Sequence, residues 1–360
     1  MTTLIARLRP SLRSPVGNLA AIRSFTISYS LRDPAAADVA ASFLSRFQSL
    51  GPQTRTQTLD ANQLQLLSLT LNRPSLFPGS PLLSNAPTGP PAETPVPPGY
   101  HLVYFTPAFL EAELGADGTD ASYNPDTPFT RRMWAGGEVL WPRNSEGKPN
   151  LLRVGQEVHE TTHVLSAEHK VVKKTGEDMI VVGVEKAFSN EQGVSVIDRR
   201  NWVFRKALPP PSASSAPSDQ FLVSTSHTAA PKQTAISTKG NTHSRTFVQT
   251  PVTLFRFSAL TFNPHKIHYS LPWARDVEGH KDVVVHGPLN LITILDLWRD
   301  TQGRKVADPT LVVPQRISYR ATSPLYAGDE YSVVLQEEGD RSKVHIVGLN
   351  GVVAMKADIE

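Results

Sequence analysis

Hydrophobic and polar positions change period several times along this 360-residue chain, and the changes predict its elements. Residues 35–50, AAADVAASFLSRFQSL, space their apolar side chains at helical intervals. Between residues 136 and 205 the pattern turns strand-like in four runs, GGEVLW, EVHETTHVLSAEHKVV, DMIVVGVEKAF and VSVIDRRNWVFR. Each run is bounded by glycine, asparagine or charged turns. VTLFRFSALTF (252–262) reads as a further strand, followed by a short helical piece. Four more strands follow, within TLVVPQRISYRATSPL, DEYSVVLQEE, SKVHIVGLN and VVAMKADIE.

The segment after Gly287 differs from these. Leu289, Leu291, Ile292, Ile294, Leu295, Leu297 and Trp298 leave Asn290, Thr293 and Asp296 as the polar interruptions. Apolar side chains cover most of this helix, so protein must surround it. Gly287 and Pro288 mark its start, where the missing proline N–H costs nothing. One wrapped helix inside antiparallel strands describes a hot-dog fold. A short echo between LLRVGQEVHETTHVL (151–165) and SPLYAGDEYSVVL (323–335) favours two such units. The expected fold is therefore α+β, a double hot-dog of two antiparallel sheets. Its first unit is helix-poor, leaving room for an acyl chain.

The predicted organisation is an N-terminal unit over 35–207, with a proline-laden loop at 74–99, and a C-terminal catalytic unit over 249–360. Residues 208–248, beginning with the proline-broken LPPPSASSAPSDQ, are expected to be a disordered linker, because so long a loop is unusual within a domain. Residues 1–32 hold Arg7, Arg9, Arg13, Arg23 and Arg32 and no acid. Without those five charges the formal net charge of +3 becomes −2. The basic excess thus belongs to a leader and predicts no nucleic-acid-binding face. With Leu4, Ile5, Leu8 and Leu12 on one side and RSFTIS at 23–28, the leader has the composition of a mitochondrial transit peptide, and the expected location is the matrix. No apolar run reaches the ~18 residues of a membrane-spanning helix. The chain has no cysteine, which removes thiolate catalysis and thiolate metal ligands.

The candidate chemistry lies in FSALTFNPHKIHYS (257–270). Asn263 is expected to cap a short helix that Pro264 begins, which would place His265 and His268 on one face. A helix N-terminus holds a nearby histidine neutral and able to accept a proton. Gly287 opens a second helix N-terminus, whose amide suits an oxygen that gains charge when a proton leaves the adjacent carbon. The histidine spacing matches no established zinc pattern, and no metal is expected.

FSALTFNPHKIHYS together with WARDVEGHKDVVVHGPL (273–289) resembles the C-terminal half of the hydroxyacyl-thioester dehydratase type 2 family. It also resembles mesaconyl-type acyl-CoA hydratases and, more distantly, MaoC-like (R)-hydratases. PPGYHLVYF (97–105), RRMWAGGEV (131–139) and LRVGQEV (152–158) are similar to that family's first hot-dog domain. The resemblance implies reversible dehydration of (3R)-3-hydroxyacyl thioesters carried on acyl carrier protein or coenzyme A, with no cofactor. Registered on Ala274, the wider hydratase motif places its histidine on His268, its asparagine on His265 and its aspartate on Asn263. An amide thus stands where the family has an acid.

The implied mechanism uses His268 as the base, the Gly287 amide for the thioester oxygen, and Asn263 and His265 to position water. His286 stands beside Gly287 at the helix start. Arg131 and Arg132 suit either the phosphates of a pantetheine carrier or a solvated pair. Trp134 either lines an acyl channel or packs in the core. Asp198 is expected to be structural. The main functional expectation is a mitochondrial 3-hydroxyacyl-[acyl carrier protein] dehydratase of type II fatty acid synthesis. The alternatives are a short-chain acyl-CoA hydratase and a non-catalytic thioester-binding subunit. A thioesterase fits less well, lacking the carboxylate such enzymes place near the helix. The oligomeric state is left open.

Overall fold

The computed structural model describes residues 35–173, 175–208, 229–348 and 351–360. The predicted transit peptide lies outside them. In chain order the main elements are α1 (Ala36–Leu50), β1 (Gln53–Thr58), α2 (Ala61–Thr70), β2 (Arg131–Leu140), β3 (Glu157–Val171), β4 (Asp178–Asn190) and β5 (Gly193–Arg205). Then come β6 (Lys232–Gln233), β7 (Ser237–Lys239), β8 (Thr242–Val248), α3 (Pro251–Leu260), α4 (Gly287–Gln302), β9 (Arg316–Ala321), β10 (Glu330–Glu338), β11 (Arg341–Val347) and β12 (Val353–Ile359).

The strands form one antiparallel sheet in the order β1-β3-β4-β5-β2-β9-β12-β11-β10-β8-β6, with β7 also paired to β8. Two sheets were expected. Instead, β2 and β9 pair from Gly136↔Arg320 to Leu140↔Arg316, which joins the two hot-dog halves edge to edge. This pairing removes two exposed sheet edges at once.

In the second half α4 is enclosed as its pattern requires, with Leu289, Leu291, Ile292, Ile294, Leu295 and Leu297 fully buried. Its two acidic residues are paired. Asp296 accepts from Arg299 at 2.8 Å and lies 3.1 Å from the Tyr100 hydroxyl. Asp300 is held by both terminal nitrogens of Arg73, at 2.7 and 2.8 Å, and by Arg245 at 3.0 Å. In the first half α1 buries Ala36, Val39, Ala40 and Phe43 against a sheet face bearing Ile180, Val182, Val184, Trp202 and Phe204. The opposite side of α1 is exposed, so no helix there is wrapped as α4 is. The proline-rich segment 74–99 is a loop, yet it buries Leu76, Phe77, Leu83 and Val96 in the main core.

Three local expectations are corrected. VTLFRFSALTF is not a strand but contains helix α3: Thr250 caps it, accepting from the Thr253 N–H, and Pro251 occupies its first turn. Leu254, Phe257, Ser258 and Leu260 are then buried at helical spacing, whereas Val252 and Phe255 are exposed. The predicted linker 208–248 is too long, because β6, β7 and β8 occupy its latter part. His243, Arg245 and Phe247 of β8 point inward in alternation, and the strand pairs with β10 from Thr242↔Gln336 to Val248↔Glu330. Residues 209–228 of that segment lie outside the described residues. Finally, Pro264 begins no α-helix; Lys266–His268 is a single 3-10 turn with His265 just before it. Asn263 contributes a local bond, its Oδ1 lying 3.4 Å from the His265 amide nitrogen.

Candidate active site

The cleft between the halves has a volume of about 1720 Å3. That exceeds the ~300–1,000 Å3 of ordinary small-molecule pockets. Asn263, His265, His268, His286, Gly287, Arg132 and Trp134 all line it. The end of α3, the 3-10 turn, the start of α4 and strand β2 converge there.

His268 is buried, and its Nδ1 lies 2.7 Å from the carbonyl oxygen of Val284. A carbonyl only accepts, so Nδ1 carries the proton and Nε2 is left as an acceptor. Burial, with His265 beside it, pushes the His268 pKa down to about 3, against the opposing pull of the Val284 bond. At neutral pH this imidazole is therefore uncharged, the state a general base needs. His286 stacks on it, with ring centroids 3.6 Å apart and planes at 19°. The His286 Nε2 lies 2.9 Å from the Ser258 hydroxyl, and its own pKa is lowered by burial and by the two neighbouring histidines.

His265 meets His268 edge-on, with centroids 5.3 Å apart and planes at 84°, even though no α-helix carries the pair. Burial and the nearby Arg132, His280 and Arg131 push its pKa down to about 3. The ring contacts run from His265 to His268 and from His268 to His286. Among the described residues no group of three or more histidine and acidic side chains is placed to hold a metal ion.

The helix start has a second tenant. A side chain on Gly287 would run into the indole of Trp134, so this position must be glycine for the two halves to close. Trp134 in turn stacks on Tyr319, with centroids 4.7 Å apart. Gly287, whose amide at the helix start has no intrahelical acceptor, lines the cleft together with His268 and His286. One turn in, Asn290 lines the cleft with a buried Oδ1 that has no hydrogen-bond partner among the described residues.

The two arginines diverge. Arg131 is ion-paired with Glu278 and does not line the cleft, whereas Arg132 does, 3.7 Å from Asp120 and over the ring of Trp202. Asp198 is fully buried and bound to Arg200 at 2.6 Å. Sequence reasoning missed Ser258, Asn290 and Asp117. The last faces His265, its Oδ2 3.7 Å from the ring Nε2. Ser258 and Asn290 could have been flagged as polar residues on otherwise apolar helices; Asp117 carries no local signal.

A buried neutral histidine facing a helix N-terminus, in a cleft shared by two hot-dog halves, defines the MaoC-like class of acyl-thioester hydratases and dehydratases. Among solved structures the chain resembles a MaoC-like dehydratase from Phytophthora capsici (TM-score 0.55, 13% identity, 86% of this chain and 94% of that one). It also resembles HtdX of Mycobacterium tuberculosis (TM-score 0.51, 13% identity, 85% and 99%). At that identity these likenesses speak for the fold alone.

Mesaconyl-C(4)-CoA hydratase of Chloroflexus aurantiacus is 29% identical over 279 residues, covering 77% of this chain and 86% of that protein. The mitochondrial hydroxyacyl-thioester dehydratase type 2 of Schizosaccharomyces pombe is 26% identical over 253 residues, covering 69% and 80%. The family model for hydroxyacyl-thioester dehydratase type 2 matches residues 99–327, and the chain belongs to that family. It is accordingly a hydro-lyase.

Proposed function

We propose that this protein is a mitochondrial dehydratase that reversibly removes water from (3R)-3-hydroxyacyl groups carried on acyl carrier protein, giving trans-2-enoyl thioesters. The observation that carries this reading is the unprotonated Nε2 of His268, held in a cleft at the start of α4. In dehydration, Nε2 takes a proton from C2 while the first-turn amide of Gly287 receives the growing charge on the thioester oxygen. The enolate then expels the C3 hydroxyl, which takes the same proton from His268 and leaves as water. Both the histidine and the thioester end uncharged. Asn263 and His265 stand on the side of the leaving oxygen.

The same chemistry on a short-chain coenzyme A ester is the second reading, favoured by the Chloroflexus relative. The mitochondrial assignment draws on the arginine-rich, acid-free leader and the mitochondrial relatives. The test is an assay of the purified full chain with enoyl and 3-hydroxyacyl thioesters, each on coenzyme A and on acyl carrier protein. Turnover preferring the carrier protein supports the first reading, and preference for a short coenzyme A ester supports the second. Failure to hydrate any enoyl thioester would leave a thioester-binding subunit. Restored respiratory growth in cells lacking their own mitochondrial 3-hydroxyacyl-thioester dehydratase would place the protein in type II fatty acid synthesis.

A further inference from the structure

The hydratase motif lacks its carboxylate, yet the structure brings one to the site from the other half of the chain. Residues 115–119 form a tight turn in which the Gly115 N–H bonds to Thr119 O and the Gly118 N–H to Gly115 O, both at 2.8 Å. This turn is fastened onto the histidine segment. The Lys266 amide donates to Asp117 O at 2.8 Å, and the Lys266 ammonium donates to Ala116 O at 2.7 Å. At Gly118, φ is +83°, and a side chain there would strike the carbonyl of Pro264. The backbone contact is therefore as close as glycine allows.

Within the turn, Asp117 divides its two oxygens. Oδ1 accepts from the Thr119 amide at 2.9 Å and from the Thr119 hydroxyl at 2.8 Å. Oδ2 is turned to His265 Nε2 at 3.7 Å, with both side chains buried. His265 also lines the cleft.

We infer that Asp117 is the positioning residue for His265, replacing across the domain boundary the carboxylate that position 263 has lost. This inference rests on the dehydratase reading above. With its Nε2–H directed at Asp117, His265 presents Nδ1 as an acceptor. In the hydration direction one hydrogen of the attacking water bonds to this Nδ1 and stays on the oxygen. The other passes to His268 Nε2 as the oxygen bonds to C3, and the C2=C3 electron pair moves onto the thioester oxygen. C2 then takes that proton back from His268. Water has been added and both rings are again neutral. The groups facing His265 are Asp117 on its turn, Arg131 and Arg132 on β2, and His268, His280 and His286 beside it.

The test compares full-length wild type with D117N, D117E and T119A in hydration of crotonyl-CoA across pH. D117N keeps an oxygen for Thr119 but removes the negative charge. It should lower kcat about 10²-fold with KM within about threefold, the size expected of an acid–base partner. An anion beside an imidazole favours its charged form, so removing it should also move the acid limb of the kcat profile to lower pH. D117E should restore the limb and part of kcat. T119A loosens the turn without touching His265 and should leave the limb in place. An active wild type with unchanged D117N, or a T119A that reproduces the D117N profile, would overturn the inference. An inactive wild type would instead overturn the dehydratase reading on which it stands.

Discussion

The imidazoles of His268 and His286 lie face to face, 3.6 Å between centroids. One ring is tied by Nδ1 to Val284 O and the other by Nε2 to Ser258. Two stacked buried rings cannot both carry charge, so the stack reinforces the neutral state that burial already imposes. It also fixes where the free nitrogen of His268 points.

His268→Gln keeps a polar group of similar reach but offers no comparable base. Its hydratase kcat should fall by about 10²–10⁴-fold, the usual contribution of a positioned acid–base group, with far-UV circular dichroism unchanged. Turnover near the wild-type level would move the base to another residue.

The pKa values of about 3 for His265 and His268 have a consequence for stability as well as for rate. Unfolded histidine takes up a proton near pH 6.5. The folded sites resist until about pH 3, so between these values the unfolded chain binds more protons and stability falls as pH falls. Above pH 6.5 both states are neutral and these two groups have no effect. The Tm of His268→Gln should therefore drop less steeply than that of wild type between pH 6.5 and 4, measured by differential scanning calorimetry.

Gly287→Ala should destabilise the protein by about 1–3 kcal/mol, the cost of forcing extra atoms into a packed site, because the new methyl meets the Trp134 indole. The double variant with Trp134→Ala relieves the collision. Its Tm should lie above the value obtained by adding the two single losses, and strict additivity would show that the contact is not the cause.

Arg73→Met leaves Asp300 with Arg245 as its remaining charged partner within 4 Å among the described residues. Losing one member of a buried ion pair costs about 3–5 kcal/mol, and the surviving arginine should keep the loss near the lower figure. The Arg73 bonds help hold the Asp300 carboxyl down to about 2, against burial, so its stabilisation is lost as pH falls from about 4 toward 2. Urea denaturation at pH 7 and at pH 3 should show a smaller difference between variant and wild type at the lower pH.

Much of the fold was legible because it rests on local periodicity. Helix α4 announced itself by being apolar nearly all round, and helix α1 and the long strands β3 to β5 by their own spacing. α3 was misread because Phe255, Phe257 and Ala259 alternate with Arg256 and Ser258 as in a strand, while the cap at Thr250 and Pro251 sets the conformation. Strand β8 was hidden in a polar segment whose buried positions include a histidine and an arginine, which lie beside the distant acids Glu337 and Asp300. The motif register singled out His268, His265 and Asn263, and the structure gathers all three in one cleft.

Sequence alone thus determined helices α1 and α4 and the strands β3 to β5 and β9 to β12, since these depend on neighbours a few residues apart. The tertiary structure decided the rest. It joined the halves through β2 and β9, drew Trp134 against Gly287, paired Arg131 with Glu278, and set Asp117 against His265. Such contacts are made between residues far apart in the chain, where no period or motif records which side chains will meet.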